Sequence, residues 1–204
     1  MTTPPRLLFL PGAGADPDFW RPVADRLPDH WDKRRLGWPG LGRQPPDPDV
    51  NGLEDLVRLV EDQLGDEPVD LLAQSMGGLV AMLVALRHPQ RVRRLVLSVT
   101  SAGAPMARLG AADWQANYHR NHPQAAPWVR TVQVDLSAEL PRVGQPVLLL
   151  WGDADPISPV SVGEHLQALL PNARLQVIAG GDHDLVHDRA DQVAPLIEAH
   201  LAVA

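Results

Sequence analysis

The chain contains no cysteine. Disulfides, thiolate metal ligands and a cysteine nucleophile are therefore excluded, while the compartment stays open. Positive charge is scarce: 18 Lys and Arg face 25 Asp and Glu, and Lys33 is the single lysine. A formal charge of −7 argues against a nucleic-acid-binding surface. Long apolar runs are missing as well. Nothing approaches the roughly 18 apolar residues of a membrane span. The N-terminal apolar run, Leu7-Leu8-Phe9-Leu10, is stopped by Pro11, too short for the core of a signal peptide. These absences lead us to expect a cytoplasmic protein, with neither nucleic acid nor membrane as a partner. Repeats and low-complexity tracts are also lacking; the proline-rich stretch at 44–48 reads as a loop.

What remains is an ordinary globular composition, 45% hydrophobic and 21% charged, over 204 residues. That length suits a single domain with one sizeable core. Short apolar runs at 7–10, 34–38, 69–73, 95–99, 147–151 and 175–178 read as strands, each followed by Gly, Pro, Asp or Ser. Helical patterns fall between them. Asp16-Pro17 offers a helix start, with Phe19, Trp20, Val23 and Leu27 on one face. Asn51 and Glu54 fit a capping box ahead of Leu53, Leu56, Val57, Val60 and Leu64. Further helices are expected from Ser75 to His88, over 160–170, and from Arg189 onward with Pro195 bending the last. Alternating strands and helices predict an α/β fold, a mostly parallel sheet of about six strands with helices on both faces. Arg91, Arg93 and Arg94 read as a solvated junction between helix and strand. Residues 100–139 break the rhythm and are expected to form a short cap or lid within the single domain, 1–204.

The stretch Val69-Asp70-Leu71-Leu72-Ala73-Gln74-Ser75-Met76-Gly77-Gly78 ends an apolar run abruptly in small-x-Ser-x-small, ahead of a helical pattern. A serine at such a turn is held in a strained bend that projects its hydroxyl. Small residues are needed beside it, and Ala73 stands where glycine is common. A serine hydroxyl is a weak nucleophile and needs a base, an acid to orient the base, and N–H donors for the developing oxyanion. The run after the strand at 147–151 supplies Asp155, with Asp153 as the competing acid. The run Gly180-Gly181-Asp182-His183 supplies a histidine after the last strand. The chain order is Ser75, Asp155, His183, one of three orders in which such triads occur. Leu10-Pro11-Gly12-Ala13-Gly14 follows the first strand and can turn the Ala13 N–H inward, to act with the Met76 N–H as an oxyanion hole.

Together these motifs resemble the α/β-hydrolase superfamily over residues 7–201: the loop after the first strand with Trp20 downstream, the Ser75 elbow, Gly152-Asp153-Ala154-Asp155, and Gly181-Asp182-His183. Trp38-Pro39-Gly40-Leu41-Gly42 is similar to the family's Pro-Gly-x-Gly turn. The resemblance implies the α/β-hydrolase fold, here in a minimal form with no strand before Leu7 and a small cap insertion. It also implies catalytic roles for Ser75, Asp155 and His183, and no cofactor or metal. Two departures stand out. Pro11 replaces a histidine that often anchors the oxyanion loop, and Trp38 replaces a frequent aspartate.

His183 and His187 sit four apart among Asp182, Asp184 and Asp188, a spacing that invites a metal, yet without the Glu of H-E-x-x-H. His187 is expected at an exposed helix start. His119 and His122 are expected on the cap surface. Trp114, Trp128 and Tyr118 either line an acyl pocket beneath the cap or pack the cap onto the core; Trp38 joins Trp114 and Trp128 as a candidate pocket residue. The expected activity is hydrolysis of a small carboxylic ester or thioester through an acyl-enzyme. The alternatives are an acyltransferase, cofactor-free perhydrolase or lyase using the same triad, or a catalytically silent binding protein on this scaffold. The expected partner is a small acyl substrate.

Overall fold

The computed structural model describes residues 4–202. Six strands form one sheet: β1 (Arg6–Leu10), β2 (Asp32–Arg35), β3 (Val69–Gln74), β4 (Val92–Ser98), β5 (Val147–Gly152) and β6 (Ala173–Ile178), in the order β2-β1-β3-β4-β5-β6. Every pairing is parallel. The helices are α1 (Arg21–Ala24), α2 (Leu53–Glu61), α3 (Met76–Arg87), α4 (Trp114–Asn121), α5 (Val160–Leu169), α6 (Leu185–Asp188) and α7 (Ala190–Leu201). Helix α1 packs against α6 and α7, and α2 against α3. Two such groups follow from right-handed crossovers running in opposite directions along the sheet. Among the described residues no helix is long and apolar enough to cross a membrane.

The central strands carry the core. All six residues of β3 and all six of β5 are buried, the continuous apolar pattern of a sheet covered on both faces. Burying each leucine or valine there contributes about 1.5–3 kcal/mol. The one charged residue in these two strands, Asp70, is fully buried and pairs with Arg93 of β4, whose Nε lies 2.9 Å from Asp70 Oδ1. Arg93 also donates to the Leu201 carbonyl at 3.1 Å and so ties α7 to the sheet. Desolvation raises the Asp70 carboxyl above the usual carboxylate range, against the pull of Arg93. The expected solvated junction is thus only partly met: Arg91 is exposed in the turn before β4, but β4 begins at Val92, three residues before the apolar run, and Arg93 pairs with a buried carboxylate.

Four other expectations differ from the structure. Strand β2 lies at Asp32–Arg35, not 34–38, because this edge strand is polar and only its exit, Leu36 and Trp38, turns inward. The helix expected from Asp16-Pro17 starts at Arg21. The Asp16 side chain accepts the Asp18 N–H at 2.9 Å, so a turn stands where the first helical turn was expected. No capping box forms at Asn51: Gly52 is the cap residue, and Asp55 instead accepts the Asn51 N–H at 2.6 Å. The expected C-terminal helix is two, α6 and α7, meeting at Arg189; Pro195 lies inside α7.

The chain runs outward from β1 to β2, then returns past β1 to β3 and continues the other way. Loops after β1 and β3 therefore diverge at a crevice outside the carboxyl ends of the strands, where open α/β sheets gather their sites. Residues 100–139 connect β4 to β5 and hold two 3-10 turns, Ala107–Leu109 and Pro127–Arg130, on either side of α4.

Candidate active site

Ser75 stands between β3 and α3 with φ 50° and ψ −123°, a conformation that L-residues rarely adopt. Such a residue costs about 1–3 kcal/mol and persists only where its surroundings over-determine it. Here they do. Its N–H donates to the Ser98 carbonyl at 3.0 Å, and its own carbonyl accepts from Thr100 Oγ1 at 2.6 Å and from the Gly78 N–H at 2.9 Å. A Cβ on Gly77 would strike the carbonyl oxygens of Pro11 and Leu10, and one on Gly78 would strike Thr100. Ala73 lies in β3 with no positive φ, so its extra methyl is accommodated; the steric demand falls on the helix side of the turn.

The histidine and acid arrive on two loops that touch. A Cβ on Gly152 would strike Gly181, and the Ala154 N–H donates to the Gly181 carbonyl at 2.9 Å. This packing brings His183 Nδ1 to 2.8 Å from Asp155 Oδ2 and His183 Nε2 to 3.0 Å from Ser75 Oγ. Asp155 is buried, and its other oxygen accepts N–H groups from Ile157 at 2.7 Å and Ser158 at 3.1 Å. Asp153, the competing acid, instead accepts the Gly180 N–H at 2.6 Å and braces the loop. His187 is exposed, pairs with Asp188 at 2.9 Å and stacks on Phe19.

The loop after β1 is held carbonyl by carbonyl. Trp20 Nε1 donates to Leu10 at 3.1 Å, Trp38 Nε1 to Pro11 at 2.8 Å, and Tyr118 Oη to Ala13 at 2.8 Å, while the Ala15 N–H closes on Gly12 at 3.0 Å. The anchor lost with Pro11 is thus replaced by two indoles and a phenol from other elements. Met76 opens α3, where a helix N–H has no intrahelical partner. Both candidate oxyanion donors, Ala13 and Met76, therefore flank the Ser75 turn on tethered backbone.

Two cavities, of about 410 and 600 Å³, meet at Ser75, His183, Trp114 and Ile157. The first lies beside Ala13, Phe19, Gln74, Tyr118 and His122; the second beside Met76, Leu79, Met106 and Val134. Of the three candidate pocket tryptophans, Trp114 lines both. Trp38 lines neither: it is fully buried and spends its N–H on the Pro11 carbonyl. Trp128 lines neither cavity and sits in the 3-10 turn of 127–130, partly buried against the core.

Sequence reasoning missed Gln74. It is buried, lines the first cavity, and donates Nε2 to the His183 carbonyl at 3.0 Å, linking β3 to the histidine loop. A Cβ on Gly12 would strike its amide oxygen. No residue pattern signals this role; only the register of β3 against β1 creates it.

Comparison with known proteins follows the same lines. The model of a family described as the alpha/beta hydrolase fold matches residues 5–126 and 112–190. The polyketide synthase ThaQ of Burkholderia thailandensis is 27% identical over 97% of the chain, although the chain spans only 12% of that protein. A pimeloyl-(acyl-carrier protein) methyl ester esterase of Neisseria meningitidis is 28% identical over 94% of the chain and 91% of its own length. Among solved structures, a bacterial membrane phospholipase A superposes with a TM-score of 0.80 at 25% identity, covering 98% of this chain and 79% of that one.

Proposed function

The chain belongs to the alpha/beta hydrolase fold family, and from that premise we propose that it is a serine hydrolase that cleaves a small carboxylic ester or thioester through an acyl-enzyme. An esterase among its relatives supports the class of reaction. The observation that carries the finer reading is the unbroken hydrogen-bond chain from Ser75 Oγ through His183 to Asp155, at 3.0 and 2.8 Å.

In this reading Asp155 accepts the Nδ1 proton of His183 and fixes the tautomer whose Nε2 faces Ser75. Ser75 Oγ attacks the carbonyl carbon as Nε2 takes its proton. The carbonyl π electrons move onto oxygen, and the Ala13 and Met76 N–H groups receive that oxyanion. Collapse of the tetrahedral intermediate expels the alcohol or thiol, to which His183 returns the proton. Water then repeats the sequence on the acyl-enzyme and restores Ser75. The protein needs no cofactor or metal for these steps.

Two cavities meeting at Ser75 and His183 supply one space for the acyl group and one for the group that leaves. Their size favours small partners on both sides of the scissile bond. Residues 100–139, which supply Trp114, Tyr118 and Met106 to the cavity walls, act as the cap. The same division supports a second reading. An alcohol or peroxide seated where the leaving group departed would take the acyl group in place of water, giving acyl transfer or perhydrolysis.

A panel of p-nitrophenyl esters and acyl-thioesters of graded chain length tests the proposal. Turnover of short-chain members, abolished by Ser75→Ala in folded protein, is expected. Undiminished turnover by Ser75→Ala would overturn it. Product ratios with water, methanol and peroxide as acceptors separate the two readings.

A further inference from the structure

We propose that Tyr118 is a positioning residue, whose hydroxyl couples the 100–139 segment to the loop carrying the Ala13 N–H and holds that donor in place for the transition state. The inference rests on the serine-hydrolase reading above.

Tyr118 is the only tyrosine of the chain and projects from α4 into the junction of two loops. Its residue is 9% exposed. The Oη donates to the Ala13 carbonyl at 2.8 Å and accepts the Gly42 N–H at 2.8 Å, so both roles of the hydroxyl are spent on backbone. The ring is fixed by Trp114, His119 and His122, at centroid distances of 5.8, 5.4 and 4.8 Å. The two loops it joins are already in contact: a Cβ on Gly42 would collide with the Gly14 carbonyl.

The loop needs such a tether. Gly12 and Gly14 flank Ala13 and leave its two peptides free to rotate, a freedom worth about 1–2 kcal/mol per residue when lost. The indoles of Trp20 and Trp38 fix the carbonyls at 10 and 11, on the strand side of Gly12. Beyond Gly12 the loop is braced from within, by the Ala15 N–H on the Gly12 carbonyl at 3.0 Å. Among the described residues, only the Tyr118 bond ties the Ala13 carbonyl to another element. Without it that short internal turn is free to tilt as a unit, and the Ala13 N–H loses its aim while remaining present. Burial raises the phenol's pKa above its ordinary value, which keeps the donated proton on oxygen through the neutral range.

Losing one oxyanion donor outright typically costs 10²–10³ in kcat, so a donor that is merely misaimed should cost on the order of tenfold. Tyr118→Phe keeps the ring and removes the bond. Its kcat toward a short p-nitrophenyl ester is expected to fall about tenfold with KM within twofold. Inhibition by a trifluoromethyl ketone, whose adduct with Ser75 carries the oxyanion, should weaken by the same factor. Gln124→Ala removes a neighbouring bond from the same segment to the Gly42 carbonyl, 3.0 Å long, that does not touch the oxyanion loop; it should leave both constants within twofold. A merely structural role would lower the melting temperature of either variant without that split between kcat and KM. If Tyr118→Phe does not fold, biosynthetic replacement of tyrosine by 3,5-difluorotyrosine changes position 118 alone. Its more acidic phenol should bring a loss of kcat at alkaline pH where the unsubstituted protein is flat. Unchanged kcat and inhibition in Tyr118→Phe, or a flat profile in the fluorinated protein, would overturn the inference while leaving an active, Ser75-dependent esterase. Absence of esterase activity in the unsubstituted protein would instead refute the reading beneath it.

Discussion

Replacing Asp155 by asparagine is a demanding test because the structure dictates which way the new amide must face. In the native protein one oxygen of Asp155 accepts the N–H groups of Ile157 and Ser158, at 2.7 and 3.1 Å, and the other faces His183 Nδ1 at 2.8 Å. The asparagine oxygen must occupy the first position, since an amide NH₂ there would confront two donors. A buried mismatch of that kind costs about 1–3 kcal/mol for each unpaired group. The NH₂ group is thereby forced toward His183 and donates to Nδ1. The imidazole then carries its proton on Nε2, facing Ser75, and cannot accept the proton of the attacking hydroxyl. A triad with the wrong tautomer loses about 10⁴ in kcat, which corresponds to about 5.5 kcal/mol of transition-state stabilisation. Steady-state hydrolysis of p-nitrophenyl acetate at pH 7.5, beside a thermal melt of the same preparations, reads this directly. The variant should fold, because shape and loop hydrogen bonds are kept, and be about 10⁴-fold slower. A loss below tenfold in folded protein would refute the reasoning, for Asp155 would then not govern the tautomer.

Two further predictions use the charges of the molecule. Burial, reinforced by Arg174 and Arg94, holds His200 down to about 4 from an ordinary 6.5. Its folded pKa is the lower one, so the stability it contributes is full above 6.5 and is lost as pH falls through the window down to about 4. At pH 4.5 the loss amounts to about 2.5 kcal/mol. Urea unfolding at pH 7 and 4.5 should show His200→Gln losing less stability on acidification than the native chain by about that amount; equal losses would show that His200 is not the group responsible. No lysine or arginine lines either cavity among the described residues, whereas Asp16 and Asp184 line the first and Asp135 the second. A carboxylate some 6–8 Å away meets a repulsion of about 1 kcal/mol at intermediate dielectric. The p-nitrophenyl half-ester of succinate should thus show a kcat/KM about fivefold below that of the butyrate ester, with the gap narrowing in salt. Equal rates for the two esters would remove the argument.

The candidate site was more legible in the residues than its supports were. Ser75, Asp155 and His183 each follow a strand in a segment with small residues, and loops at one end of a parallel sheet converge whatever the details of packing. The buried strands were readable for a similar reason: β3 and β5 are apolar throughout, and nothing else accommodates such runs in a chain of this composition. Edge strand β2 was misplaced because its residues are polar and the apolar signal belongs to the loop beyond it. Arg93 was misread because its partner, Asp70, lies on a different strand, and local charge pattern carries no trace of a cross-strand ion pair. Trp38 and Tyr118 exposed the same limit. An aromatic residue near a site reads equally as pocket wall or as packing, and neither reading anticipates an indole or phenol spent on the carbonyls of the loop after β1.

Mass spectrometry of a covalent adduct on the proposed nucleophile tests the central claim most directly. Folded protein treated with a fluorophosphonate, which phosphonylates an activated serine and releases fluoride, is weighed intact and then mapped by peptide. The account predicts one adduct per chain, located on Ser75, and none in Ser75→Ala or His183→Ala at matched reaction times. An adduct on another residue, or ester turnover undiminished after Ser75 has been fully modified, would contradict it.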